Sequence, residues 1–144
     1  MNQPMIVACG HCHRKNRLDI TRLDSDPRCG VCKQALFDGQ PVSLNTAQFR
    51  THASADLPLI VDFWAPWCGP CLQFAPVFEQ AAGSIEPRAR LVKINTEEEQ
   101  ALAGQFGIRS IPTLMLVRGG KEITRLAGAL PAAQFKQWVN QQLG

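Results

Sequence analysis

The sequence predicts an α/β domain, a mixed sheet covered by helices on both faces, preceded by a short cysteine-rich module. Three observations carry this. From Pro41 onward, strand-like apolar runs alternate with helical stretches and end in a hairpin and a last helix, the pattern of a sheet with helices on both sides. Six cysteines fall into three C-x-x-C pairs, two of which lie in the first third of the chain. Residues 1–40 hold only scattered apolar residues with no sustained period, and so short a segment needs a metal, a disulfide or a partner to fold. The turn-rich stretch Phe37-Asp38-Gly39-Gln40-Pro41 divides the chain into residues 1–40 and 41–144.

In the first part, short strands are expected around Met5–Ala8 and Arg17–Ile20, with a loop at Asp24–Arg28. In the second, Val42–Leu44 reads as a strand, and Asn45 caps a helix over Thr46–Ala53. Leu59–Trp64 is an almost unbroken apolar run, the mark of a strand buried on both faces. A helix follows from about Cys68 to Ser84, with Pro76 expected to kink it. Arg90–Asn95 reads as a second buried strand, and Thr96 is expected to cap a helix over Glu97–Phe106 with acidic residues in its first turn. Thr113–Arg118 and Glu122–Leu126 flank Gly119-Gly120, a hairpin signal. Pro131–Leu143 closes the chain as an amphipathic helix with Phe135, Trp138 and Val139 on one side.

Composition narrows the function. The 144 residues are 45% hydrophobic and 19% charged, which suits a soluble globular protein. No apolar run approaches the roughly 18 residues of a membrane span. Met1-Asn2-Gln3-Pro4 has neither a basic flank nor a long apolar stretch behind it, so no secretory signal is read and the cytoplasm is expected. The net charge of +3 lies entirely in residues 1–50, which hold 7 basic and 4 acidic groups. That excess is small, four thiolates on one Zn²⁺ would reduce it, and Phe37 is the sole aromatic before Phe49. A nucleic-acid partner is therefore not expected, and nothing asks for an obligate oligomer; a monomer is expected.

Trp67-Cys68-Gly69-Pro70-Cys71 stands where the buried strand hands over to a helix. There the free N–H groups and the positive end of the dipole favour an anion, so an exposed Cys68 is expected to ionise more readily than an ordinary thiol. Cys71 lies one turn on, close enough for the sulfurs to bond. Cys68 would attack a target disulfide and Cys71 would resolve the mixed disulfide. Gly69 keeps the turn tight, and Pro70 in the first turn loses no needed hydrogen bond. A structural metal pair here would need two further ligands, and between Asn45 and Gly144 the one candidate is His52. On the residues alone, Asp62 is either a satisfied polar group or a functional carboxylate, and Pro112 an ordinary turn proline.

Asp62-Phe63-Trp64-Ala65-Pro66-Trp67-Cys68-Gly69-Pro70-Cys71, with Ile111-Pro112-Thr113 downstream, resembles the thioredoxin family. The similarity runs from about Val42 to Leu143 and includes Pro76, Lys93 and Gly128. It implies a thioredoxin fold and a protein-disulfide reductase. It implies Cys68 as nucleophile, Cys71 as buried resolving thiol, and Asp62 as the carboxylate that helps Cys71 lose its proton. It also implies a cis peptide before Pro112, where the backbone would pair with a substrate strand beside the apolar lip of Trp67. Leu72 departs from the many relatives that carry Lys or Arg there.

Cys9-x₂-Cys12-x₁₆-Cys29-x₂-Cys32 has the spacing of a four-cysteine zinc site, two knuckles brought face to face. Gly10 and Gly30 are expected to permit the tight turns. A site using His11 or His13 in place of one cysteine, a second thiol relay, or a redox sensor that releases its metal are the alternatives. With this module in front, the whole chain resembles the zinc-binding bacterial thioredoxin 2 branch of the family. That resemblance implies one structural Zn²⁺, cytoplasmic disulfide-containing proteins as targets, and re-reduction by thioredoxin reductase with electrons from NADPH.

Overall fold

A computed structural model of the chain describes residues 3–144; Met1 and Asn2 lie outside them. The N-terminal module is a two-stranded antiparallel sheet, β1 (Pro4–Ala8) against β2 (Lys15–Asp19), with Pro4 opposite Asp19 and Ala8 opposite Lys15. A 3-10 turn over Ile20–Arg22 follows, capped by the Asp19 carboxylate, which accepts from the Thr21 N–H at 3.0 Å. Its small core is Cys9, Cys29 and Leu36, with Leu18 and Phe37 against them. There are too few apolar groups here to hold a fold alone.

The second part contains β3 (Val42–Ser43), α1 (Thr46–Ser54), β4 (Leu59–Trp64), α2 (Gly69–Ile85), β5 (Arg90–Asn95), α3 (Gln100–Gln105), β6 (Thr113–Arg118), β7 (Lys121–Ala127) and α4 (Ala132–Leu143). The strands form one mixed sheet in the order β3-β5-β4-β6-β7. β3, β5 and β4 run parallel, whereas β6 and β7 are antiparallel to their neighbours. Side chains alternate across each strand. Ile60, Leu91, Leu114 and Leu116 meet Phe74 and Phe78 of α2 and Phe135 and Val139 of α4 on one face. Leu59, Val61, Phe63 and Met115 meet Phe49 of α1 and Leu102 of α3 on the other. Among the described residues, no helix is long and apolar enough to cross a membrane.

The expected elements are present, with instructive shifts. Asn45 and Gln48 close a reciprocal capping box on α1, and Gly119 and Gly120 both take positive φ in the hairpin turn. α2 runs without a break through Pro76. The helix expected from Glu97 starts only at Gln100, and Thr96 does not cap it. Thr96 instead continues the sheet, its N–H and hydroxyl both donating to the Trp64 carbonyl. The Asn95 side chain accepts from the Glu97 and Glu98 N–H groups, closing a local turn that competes with helix.

The module docks at the N-terminal ends of β4 and β5. Ile6 N–H donates to the Asp56 carboxylate at 2.7 Å, and Asp56 N–H returns a bond to Ile6 O at 2.8 Å. Arg90, 2% exposed, donates to the carbonyls of Ala8 (2.9 Å) and Leu36 (3.0 Å), lies 3.5 Å from the Glu86 carboxylate and covers the Phe37 ring. Gly10 approaches so closely that a Cβ there would stand 3.1 Å from both the Arg90 guanidinium and Val42.

Candidate active site and metal cluster

β4 ends at Trp64, and the chain turns through Ala65-Pro66-Trp67 into α2. Cys68 is the N-cap of α2; its Sγ accepts from the Cys71 N–H at 3.2 Å. Cys68 and Cys71 are joined as a disulfide with Cα atoms 5.2 Å apart, inside the usual range for a bridge. The three-residue spacing across a helix start thus delivers both the bond and the anion-favouring position. Cys68 is not exposed as expected but 5% accessible. Bonded to Cys71, it packs with Ala65, Trp64 and Ile111, and its sulfur lies 3.7 Å from the Ile111 carbonyl oxygen.

The Ile111–Pro112 peptide is cis, as the resemblance implies. It opens β6 at the level of the sulfurs, and the Gly128 N–H donates to Pro112 O at 2.8 Å, holding the end of β7 beside it. Trp67 is 67% exposed, with its indole N–H bonded to the Glu97 carboxylate. Gly69 and Pro70 occupy the first turn of α2 and are exposed. This rim of tryptophan, glycine and proline surrounds a nearly covered sulfur pair.

Asp62 lies in the middle of β4, fully buried, on the sheet face that α2 covers. Neither carboxylate oxygen has a hydrogen-bond partner among the described residues. Burial pushes its pKa up to about 7, against the opposing pull of the Lys93 ammonium. Lys93 is opposite Asp62 in the ladder between β4 and β5, and its Nζ stands 4.5 Å from the Trp64 ring centroid. A buried carboxyl that titrates near neutrality can accept and return a proton.

The other four cysteines converge. Their sulfurs all lie within 4.8 Å of one another, with Cys9–Cys32 at 3.7 Å and Cys12–Cys29 at 3.6 Å. A tetrahedral site with metal–sulfur bonds of about 2.3 Å has sulfur–sulfur edges of about 3.8 Å, so the donor set fits one such ion. The knuckles match residue for residue. Cys9 N–H donates to Arg14 O and His13 N–H to Cys9 O; Cys29 N–H donates to Gln34 O and Lys33 N–H to Cys29 O. The left-handed residues are His13 and Lys33, not Gly10 and Gly30. Gly10 serves the close approach to Arg90 instead.

Burial opposes ionisation of Cys29, but the N–H groups of Cys32 and Val31 and the Asn16 amide donate to its sulfur and bring its pKa down to about 6. At Cys32 the Gln34 N–H favours the anion, yet burial and the neighbouring sulfurs of Cys9, Cys29 and Cys12 push the thiol up to about 11. Four thiols this close ionise together only when a cation shares their charge.

Neither histidine alternative joins the cluster. His11 Nε2 lies 3.3 Å from the Asp38 carboxylate, and His13 Nδ1 is 3.1 Å from His52 Nε2. His52 is buried under the module, and desolvation first, then the charges of Arg90 and His13, lower its pKa to about 3. The pair is therefore neutral near pH 7, one ring donating and the other accepting. Sequence reasoning missed this contact, the Trp67–Glu97 bond and Arg90. The partners are 39, 30 and 82 residues apart respectively, so no local pattern announces them.

Comparison with known proteins agrees with this geometry. The thioredoxin family model matches residues 40–141, and a zinc-ribbon model described as Thioredoxin 2, N-terminal, matches residues 8–34. Thioredoxin C-3 of Corynebacterium nephridii is 43% identical over 140 residues, 96% of each chain. A thioredoxin of Synechocystis is 49% identical over 101 residues, covering 69% of this chain and 94% of its own. The crystal structure of a Malassezia sympodialis thioredoxin superposes with a TM-score of 0.69 at 28% identity, covering 74% of this chain and 94% of that one. With its bridged Trp-Cys-Gly-Pro-Cys pair at a helix mouth and four cysteines gathered in front, the chain belongs to the thioredoxin family of disulfide oxidoreductases, in the form that carries an N-terminal zinc ribbon.

Proposed function

We propose that the chain reduces protein disulfides with Cys68 as nucleophile, Cys71 as resolving thiol and Asp62 as the proton acceptor for Cys71. The observation that carries this is the Cys68 sulfur at the N-cap of α2, accepting the Cys71 N–H, where a thiolate gains from the helix dipole. In the reduced protein the Cys68 thiolate attacks one sulfur of a target disulfide, forming a mixed disulfide and expelling the first target thiolate. Cys71 then passes its proton to Asp62 and attacks the Cys68 sulfur. The second target thiolate leaves and takes up that proton. Two electrons have moved to the target, and Cys68–Cys71 is the bridge.

Trp67, Gly69, Pro70 and the Pro112 backbone form the surface against which the target lies. Re-reduction by thioredoxin reductase, cytoplasmic target proteins and action as a monomer complete the reading. Support for the compartment comes from paired cysteines suited to reducing surroundings. In a thiol–disulfide exchange test, the Cys71→Ser protein should accumulate a mixed disulfide with a bridged target through Cys68, while Cys68→Ser forms none. Adducts on neither variant, or no NADPH consumption by wild type with reductase and target, would overturn the assignment.

For the first 40 residues we propose a separate ribbon unit holding one structural Zn²⁺ on Cys9, Cys12, Cys29 and Cys32. When bound, the ion supplies charge balance to the four thiolates and a cross-link between the knuckles. Native mass spectrometry should find one zinc per chain, and none after Cys29→Ser. The ribbon docks at Arg90, the opposite end of β5 from Asn95, five residues and about 17 Å along the strand. Target reduction by Cys29→Ser should therefore stay within about twofold of wild type at a temperature where it remains folded. Retained zinc, or loss of dithiol chemistry in parallel with the metal, would contradict this division.

A further inference from the structure

We infer that Leu72 is a specificity-determining residue, selecting target disulfides whose attacked cysteine is flanked by apolar side chains; the inference rests on the disulfide-reductase reading above. Leu72 is 53% exposed on the first turn of α2, directly after Cys71. A lone exposed leucine needs no explanation. This one is not alone: of the exposed large hydrophobics in residues 41–144, Trp67 and Leu72 bracket the dithiol and only Ile123 lies elsewhere.

Its direction follows from helix geometry. Leu72 N–H donates to Cys68 O at 3.1 Å, so the two residues stand one turn apart on the same face. Side chains on a helix lean toward its N-terminus and cover the turn before their own Cα. Leu72 thereby extends the apolar rim on the helix side of Cys68, as Ile111 does across from it.

Of the charges near this rim, two are held by aromatic side chains and one is exposed. Glu97 is bonded to the Trp67 indole, Lys93 lies over the Trp64 ring beneath the surface, and Arg109 stands in the loop two residues before Ile111. A target that brings its sulfur to Cys68 must lay a neighbouring side chain against Leu72. An apolar neighbour gains from the burial, whereas a charged one loses water against the leucine.

The experiment uses two bridged peptides, identical except for Leu or Glu on both sides of the attacked cysteine, reduced by the full-length protein. Wild type should favour the Leu peptide in kcat/KM by about fivefold, the worth of roughly half-burying a leucine. Leu72→Lys should reverse the preference, and Leu72→Ala should bring the two peptides close to equality. A new charge beside Cys68 changes its reactivity toward both peptides alike, so the ratio isolates recognition. The same ratio in all three proteins would overturn the role of Leu72 while leaving the reductase reading intact. Failure to reduce either peptide would remove that reading and this inference together.

Discussion

Asp62→Asn is expected to make the protein more stable and a poorer reductase, and the two effects should separate by pH. A carboxyl whose pKa is raised on folding is bound to its proton more tightly in the native state than in the unfolded chain. Below about pH 4 both states hold the proton and Asp62 carries no penalty. As pH rises from about 4 to about 7 the unfolded chain releases it first, so folding loses stability, and above about 7 the full penalty is present. A pKa of about 7 against the usual 3.8 corresponds to roughly 4 kcal/mol. An asparagine avoids the charge but keeps a buried amide to satisfy, at a cost of about 1–2 kcal/mol. The net gain should be about 2–3 kcal/mol at pH 8, with the sign reversed at pH 4.

Catalysis moves the other way. Without Asp62, Cys71 must ionise on its own, and an ordinary thiol is a few per cent anion at neutrality. The loss in rate of mixed-disulfide resolution at pH 7 should therefore approach about thirtyfold and shrink toward pH 9. Denaturant unfolding across pH, with single-turnover reduction alongside, reads both. A stability gain independent of pH, or a rate loss that does not fade as pH rises, would show that Asp62 acts through packing rather than its proton.

Why Asp62 could be singled out at all is instructive. A carboxylate inside the run Leu59–Trp64 breaks an apolar pattern whose period places it in the core, so the anomaly is visible in the residues themselves. Cys68 and Cys71 were legible for a similar reason, because the strand-to-helix junction fixes the sulfurs by local geometry. The four ribbon cysteines were legible because two matched knuckles need only their spacing. Reading failed where a local signal met a stronger competitor. Thr96 has the right chemistry for a helix cap, but its N–H and hydroxyl are taken by the Trp64 carbonyl, and Asn95 captures the next two amides. Gly10 has the right chemistry for a turn, yet the left-handed position fell three residues later at His13. Arg90 gave no signal. A charged residue at the start of a strand is ordinarily solvated, and its partners Ala8 and Leu36 belong to a module whose position no pattern within β5 discloses.

That buried guanidinium leads to the second large effect, the loss expected when Arg90 is removed. Its planar fork divides the work: Nη2 donates to both the Ala8 and Leu36 carbonyls while Nη1 stands beside Glu86, itself buried and accepting from the Gly39 N–H at 2.8 Å. Arg90→Met leaves Glu86 charged without a countercharge and two module carbonyls without their donor. Breaking a buried pair from one side costs about 3–5 kcal/mol. Adding Glu86→Gln, which removes the stranded charge and keeps an acceptor for Gly39, should recover about half of that. Arg90→Lys should fall between wild type and Arg90→Met, because an ammonium offers a point charge rather than a fork. Hydrogen exchange should quicken at Cys9 and Leu36, whose amides bond within the module, while the Cys68–Cys71 potential stays put at the far end of the sheet. If Arg90→Met costs under about 1 kcal/mol, or if the double variant recovers nothing, the ribbon is held by its apolar contacts and the Ile6–Asp56 bonds instead, and Arg90 is only a filler of the interface.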